Sequence, residues 1–245
     1  MRAIAATLLA IGVLAAASTA AASTLSVAPI RVELSSKART AVLTVRNQED
    51  SPVVVQVRPT AWSQRDGHDQ LDDTHDLLVT PPLFTVPPRG LQVLRIALLR
   101  EPDPARELPY RLVLSEVPPA TPPETTGLRV ALRITLPVFV AAKAHTAADL
   151  LWSHRWLPDG TLEVEALNRG TAHVQVLDFD VQGDVKGNAA AREALHTDTS
   201  HYLLPGAAAH WQLHPGAGLA HGALIVLRGH SDAGDFTVTS SPGAP

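Results

Sequence analysis

Residues 128–140 read LRVALRITLPVFV, with an apolar side chain at every second position over most of the stretch. Because successive side chains of a β-strand point to opposite faces, this period of two predicts a strand with one aliphatic face. That face carries Leu128, Val130, Leu132, Ile134 and Leu136. Such a stripe is ordinarily core. Here its length and the preceding segment 117–127, which is too rich in proline to pair within a sheet, favour an edge strand that is free to pair with another protein.

The same period of two extends back from this strand to Leu25, with turn-forming residues every eight to twelve positions or so. Short antiparallel strands, rather than helices, are typical of this pattern. Seven strands are predicted, at 25–34, 40–47, 53–58, 83–86, 91–98, 109–116 and 128–140. Seven short strands joined by proline-rich turns predict an immunoglobulin-like β-sandwich.

A second β-sandwich is predicted after residue 142. Its strands are expected at 150–157, 161–167, 173–182, 207–214, 222–228 and 235–240. The one segment with a helical pattern is 188–196, NAAAREALH. The connecting segment 141–148, AAKAHTAA, is short and rich in small residues, so we expect domains 23–142 and 143–245 to meet at an angle across a cleft.

The N-terminal residues 1–22 have the pattern of a cleaved secretory signal. Arg2 precedes an uncharged run from Ala3 to Ala17, and small residues follow it up to Ala22. Removing this segment takes away one of the 20 basic residues and none of the 24 acidic ones, which leaves a formal charge of 19 − 24 = −5. This negative balance disfavours nucleic acid and anionic lipid as partners. Cysteine is absent, so neither disulfides nor thiol chemistry are available.

Metal and catalytic sites find little support in the sequence. His210 and His214 are the nearest pair of candidate ligands, but four residues of a strand span about 13 Å, too far for one ion. The acidic segment 66–76 lacks the spacing of a calcium loop and is interpreted as an exposed loop. No nucleophile with a partner base and no Gly-x-Ser-x-Gly turn stands out. We therefore predict neither a cofactor nor an enzyme.

Five segments in order resemble the PapD-like chaperones of the chaperone/usher pathway. They are 29–34 (PIRVEL), 81–89 (PPLFTVPPR), 92–96 (QVLRI), 110–119 (YRLVLSEVPP) and 132–140 (LRITLPVFV). In the second half, 163–170 (EVEALNRG) and 202–206 (YLLPG) with Trp211 resemble the branch that assembles spore-coat-protein-U-like or archaic pili. The resemblance implies a periplasmic chaperone that binds pilus subunits, its clients, by donating a strand and then delivers them to an outer-membrane usher.

The resemblance also implies a site for the client's terminal carboxylate. In such chaperones an arginine on the first strand and a lysine on the last strand bind this group, and Arg31 matches the arginine. The lysine position falls on or near Pro137, which carries no charge. Arg95 is the predicted second positive group, with Arg129 and Arg133 as substitutes. The aliphatic residues of 128–136 are predicted to fill the client's groove.

A secreted structural or adhesive β-sandwich protein, such as a pilin or a two-domain adhesin, is the alternative function. A pilin is normally one domain with its own N-terminal donor extension. The predicted second domain and Arg31 favour the chaperone.

Overall fold

The computed structural model describes residues 25–118, 131–185, 188–215, 219 and 224–242, and every regular element in these ranges is a β-strand. The predicted fold class is confirmed, since the strands form immunoglobulin-like β-sandwiches. The predicted signal segment 1–22 lies outside the described residues. Over the described ranges, no helix has the length and apolar character needed to cross a membrane.

Ten strands make up the first half. They are β1 Leu25–Ala28, β2 Val32–Leu34, β3 Thr40–Asn47, β4 Val53–Arg65, β5 His68–Asp73, β6 Leu77–Thr80, β7 Leu83–Val86, β8 Leu91–Leu98, β9 Leu108–Glu116 and β10 Arg133–Val140. One sheet has the order β1-β3-β8-β6, and the other has the order β2-β10-β9-β4-β5, with β7 paired to β4. Alternate side chains of the two sheets, such as Leu43, Leu94, Leu112 and Val138, form the core between them.

Several predicted features of this half differ in the structure: β6 was not predicted, and the predicted strand 128–140 is a strand only from Arg133 within the described residues. The predicted strand 25–34 is two strands, because the chain leaves the first sheet after Ala28 and enters the second at Val32. Pro29 lies at the break, where it has no amide hydrogen to give to a ladder. The interpretation of 66–76 as a loop is wrong, since His68–Asp73 forms β5 at the sheet edge. Asp66 and Gly67 both have positive φ there, and an Asp-Gly pair of this kind is a known hairpin signal.

Eight strands make up the second half. They are β11 Leu150–Trp156, β12 Leu162–Asn168, β13 Val174–Val185, β14 Asn188–Leu203, β15 Ala208–Leu213, β16 Val226–Ser231, β17 Gly234–Thr239 and β18 Ser241–Pro242. Their sheets have the orders β15-β12-β11-β18 and β14-β13-β16-β17. Leu162, Val164, Phe179, Val181 and Leu227 are completely buried between them.

The helical interpretation of 188–196 is wrong, because this segment is the first part of strand β14. Its backbone pairs antiparallel with β13, with Ala194 opposite Gln182 and His196 opposite Asp180. Alanine-rich sequence favours a helix locally, but pairing with a neighbouring strand overrides a weak local preference.

Candidate functional site

Strand β10 has an open edge over part of its length. It pairs antiparallel with β9 throughout, from Arg133 opposite Ser115 to Val140 opposite Leu108. On its other side β2 pairs with it in parallel, but only at Val138–Val140. Among the strands that the structure describes, none pairs with this side of residues 133–137. These residues therefore present unpaired backbone groups to a further strand.

The predicted aliphatic stripe divides into two parts. Leu128 and Val130 lie outside the described residues. Leu132 and Ile134 are partly buried, and Ile134 packs at the margin of the core. Leu136 is only 5% exposed and belongs to the core of its own domain. Its predicted contact with the client is therefore corrected, because a side chain already enclosed in one core cannot fill another.

Arg111 lies beside Pro137, where the resemblance expects a lysine. The two residues are opposite each other in the antiparallel pairing of β9 with β10. Opposite residues of such a pair point to the same face, with Cβ atoms about 5 Å apart. Arg111 thus places a positive charge one strand away from the uncharged position. The register of β9 against β10 identifies it, and the sequence alone does not give that register.

The aromatic rings of Trp62, Phe139 and Tyr202 pack together where the two halves of the chain meet. The ring centroid of Trp62 lies 5.9 Å from that of Phe139 and 5.6 Å from that of Tyr202. Gln64 ties the halves together, because its amide nitrogen donates to the Tyr202 carbonyl at 2.8 Å and its amide oxygen accepts from the Leu204 N–H at 2.9 Å. These two hydrogen bonds hold the margin of the cluster of Trp62, Phe139 and Tyr202. We call this cluster the aromatic wall.

The Arg111 guanidinium lies over the Trp62 ring of this aromatic wall. Its central carbon is 3.6 Å from the Trp62 ring centroid, in a cation–π contact, and Nη2 is 3.3 Å from the Asp69 carboxylate. The side chain is 14% exposed, and its Nε atom is a buried donor with no partner in the described structure. Burial lowers the pKa of Arg111, although the charge of Asp69 opposes this effect. An arginine has no accessible neutral state, so it remains a cation with an unused donor.

Arg31 lies at the break between β1 and β2 and faces the second half of the chain. Nη1 donates to the Asp232 carboxylate at 2.7 Å, Nε is 3.3 Å from Glu33, and the side chain is 35% exposed. Burial lowers the pKa of Arg31, but the hydrogen bond to Asp232 and the nearby carboxylates outweigh burial and raise it. Arg31 pairs with Asp232, and the Arg111 guanidinium carbon lies 5.6 Å from the ring centroid of Tyr202. Both arginines therefore reach residues of the second half of the chain.

Arg95 is on a different surface. It lies on the exposed face of β8, between Val42 of β3 and Thr80 of β6, in the sheet that does not contain β10. Of the predicted substitutes, Arg129 lies outside the described residues and Arg133 is exposed on β10. Over the described ranges, no three histidine, aspartate or glutamate side chains are placed to hold a metal ion.

Comparison with known proteins agrees with the open strand and the cleft. Residues 24–144 match the family model of the pili and flagellar-assembly chaperones, PapD N-terminal domain. The chaperone protein FaeE of Escherichia coli is 40% identical over 74 residues, which are 30% of this chain and 28% of FaeE. The matched segment is therefore less than a third of that relative's length.

Solved structures share the fold over nearly the whole chain. The CsuC–CsuE chaperone–tip adhesion subunit complex of Acinetobacter baumannii gives a TM-score of 0.65 at 17% identity, covering 91% of this chain and 100% of that one. The complex of the SafA pilin with the SafB chaperone of Salmonella enterica gives 0.60 at 19% identity, covering 89% and 97%. At 17% and 19% sequence identity, the similarity between these structures and this chain shows a shared fold only. The family match supports a chaperone, and not an enzyme or an adhesive surface protein. Residues 24–144 of this chain thus belong to the family of pili and flagellar-assembly chaperones, PapD N-terminal domain.

Proposed function

We propose that this protein is a periplasmic chaperone that lends the open edge of β10 to a pilus subunit. The observation that carries the proposal is the unpaired side of residues 133–137, a segment that ends at Pro137, opposite Arg111. A β-sandwich that lacks its last strand exposes an apolar groove and two unpaired edges, and it aggregates alone. A strand lent from another chain supplies the missing ladder and the missing core at once.

The chemistry of the open segment suits this task. Ile134 of β10 packs at the margin of the core, and Leu132, which immediately precedes the strand, is partly buried. Together with the predicted Leu128 and Val130, four aliphatic side chains would enter the client. At about 1.5 to 3 kcal/mol each, their burial contributes roughly 6 to 12 kcal/mol before the cost of ordering. Exchange for a subunit's own strand at the usher then releases the client without nucleotide hydrolysis.

The terminal carboxylate of the client is proposed to bind between Arg31 and Arg111. Both guanidinium groups reach residues of the second half of the chain, and Arg111 occupies the strand beside the uncharged Pro137. Arginine binds a carboxylate through two parallel hydrogen bonds, which fix its position as well as adding affinity. Anchoring the client's last residue in this way sets the register of the strand that follows along β10.

The remaining assignments follow from the family. We propose that residues 1–22 direct export to the periplasm and that domains 23–142 and 143–245 act as one unit. The solved relatives support a complex with a pilus subunit, since CsuC is seen with a tip subunit and SafB with a pilin. Delivery to an outer-membrane usher is proposed on the same basis.

Photo-crosslinking from the open edge tests the proposed function. A benzoylphenylalanine placed at Thr135, which is exposed on β10, should crosslink in the periplasm of the native host to a pilus subunit identified by mass spectrometry. The same group at Thr237, exposed on β17 of the second half, is the matched control and should give little of this product. Equal crosslinking from both positions, or products unrelated to pili, would contradict the proposal.

A further inference from the structure

His173, which immediately precedes β13 in the second half, pairs with Glu107 of the first half through Nδ1 and faces Asp232 of its own half through Nε2. Nδ1 lies 2.6 Å from Oε1 of Glu107, which immediately precedes β9. Nε2 lies 3.6 Å from Oδ2 of Asp232, in the turn between β16 and β17. The His173 backbone N–H also donates to Glu107 at 3.1 Å, and the Glu107 N–H donates to the Thr171 carbonyl at 3.0 Å. We call Glu107, His173 and Asp232 the His173 bridge.

The ring is fixed in place and shielded from water. It stacks on Phe139 of β10, with the ring centroids 3.4 Å apart and the planes 4° from parallel. The side chains of His173 and Glu107 are only 11% and 9% exposed. Tyr202 approaches the ring from β14, with its centroid 5.9 Å away. Burying the Glu107 carboxylate costs free energy of folding unless a positively charged group pairs with it.

The charged groups around the ring favour its protonated form. Glu107 faces Nδ1 and Asp232 faces Nε2, while Arg31 pairs with Asp232, and Glu33 lines the same pocket as Glu107 and His173. A neutral imidazole has one N–H donor, so it can serve only one of two carboxylates. Without the second proton, the lone pair of Nε2 faces the Asp232 carboxylate and repels it. Only the imidazolium satisfies both sides of the bridge.

We propose that His173 is a positioning residue whose protonated ring holds the two domains together and, through Asp232, sets the place of Arg31 in the cleft. Loss of the proton removes the positively charged partner that Glu107 has across the two halves, and it leaves the Asp232 carboxylate held by the Gln175 N–H and by Arg31. The angle between the domains, and with it the position of Arg31, then becomes less well defined. The consequence for client capture rests on the proposed function, whereas the bridge itself is a property of the free protein.

The expected pH dependence has a defined sign. Burial lowers the pKa of His173, but Asp232 and Glu107 outweigh burial and raise the pKa above its ordinary value of 6.5. A group whose pKa is higher in the folded state stabilises that state fully below its unfolded pKa. The stabilisation is lost as the pH rises through the folded-state pKa. The bridge should thus be intact in mildly acidic solution and weaken towards alkaline pH.

Distance measurements between spin labels on the free protein test this inference. The chain has no cysteine, so cysteines introduced at the exposed positions Gln70 and Thr237 label one site in each half. The distance distribution is expected to be narrow at pH 6 and to broaden by pH 9. His173→Gln should give the broad distribution at both values. Glu107→Gln, which keeps the imidazole, should remove most of the pH dependence.

His230→Gln is the matched control. His230 pairs with Asp178 at 2.7 Å, but both lie within one sheet of the second half, so this variant should behave as the unaltered protein. The inference is overturned if the distances are the same at pH 6 and pH 9, or if their pH dependence persists in His173→Gln. Because no client is present, either result is independent of the proposed function.

Discussion

Leu136→Asp is expected to unfold the first domain, whereas Leu132→Asp is expected to leave it folded and to abolish client capture. Leu136 is 5% exposed in the core, so the variant loses aliphatic packing and buries an unpaired carboxylate. We expect a loss of about 4 kcal/mol or more in the free energy of unfolding. Leu132 is only partly buried, and its replacement should cost about 1 kcal/mol or less. Chemical denaturation and recovery of subunit complexes measure the two effects.

Thr135→Asp provides the control for stability, because it adds the same charge to the exposed face of the same strand. It should remain as stable as the unaltered protein to within about 0.5 kcal/mol. An equal loss of stability in Leu132→Asp and Leu136→Asp would place Leu132 in the core. Ile134 would then be the one large aliphatic side chain of the open edge, among the described residues, left to offer a client.

Arg31→Ala is expected to weaken client binding by about 2 kcal/mol, or roughly 30-fold, because a charged hydrogen bond to the terminal carboxylate is lost. Arg111→Ala should have a similar effect and should in addition loosen the packing on Trp62, since the guanidinium lies 3.6 Å from that ring. The double variant should retain no measurable complex. Co-purification of the subunit from the periplasm measures binding, and thermal unfolding shows that each variant remains folded.

Arg95→Ala is the matched control for both arginine variants. It removes the same charge from the exposed face of the other sheet, so client recovery should be unchanged. If Arg95→Ala abolishes complex formation while Arg31→Ala does not, the proposed carboxylate site between Arg31 and Arg111 is contradicted. Unchanged binding in the Arg31 and Arg111 double variant would show that the client's terminus is held elsewhere.

The tertiary structure changed the predicted site by supplying the register between strands. In the sequence, Pro137 stands where the resemblance expects a lysine, so a positive charge was missing. The pairing of β9 with β10 places Arg111 opposite Pro137 and so supplies a positive charge beside that position. Arg95 was the sequence-based choice for the second charge, yet the order of strands places it on another sheet. Sheet order and register depend on contacts between residues far apart in the chain, and local patterns do not record them.

The sequence by itself determined the all-β class and most of the strands, because these depend on a local period of two. It also predicted the aliphatic stripe and Arg31 as site residues. Only the tertiary structure decided where the stripe passes from core to open edge, between Leu136 and Ile134. It alone brought His173 to Glu107, across 66 positions of sequence. The physical reason is that burial and ion pairing are set by which surfaces the folded domains place together, and a single strand carries no information about its neighbours.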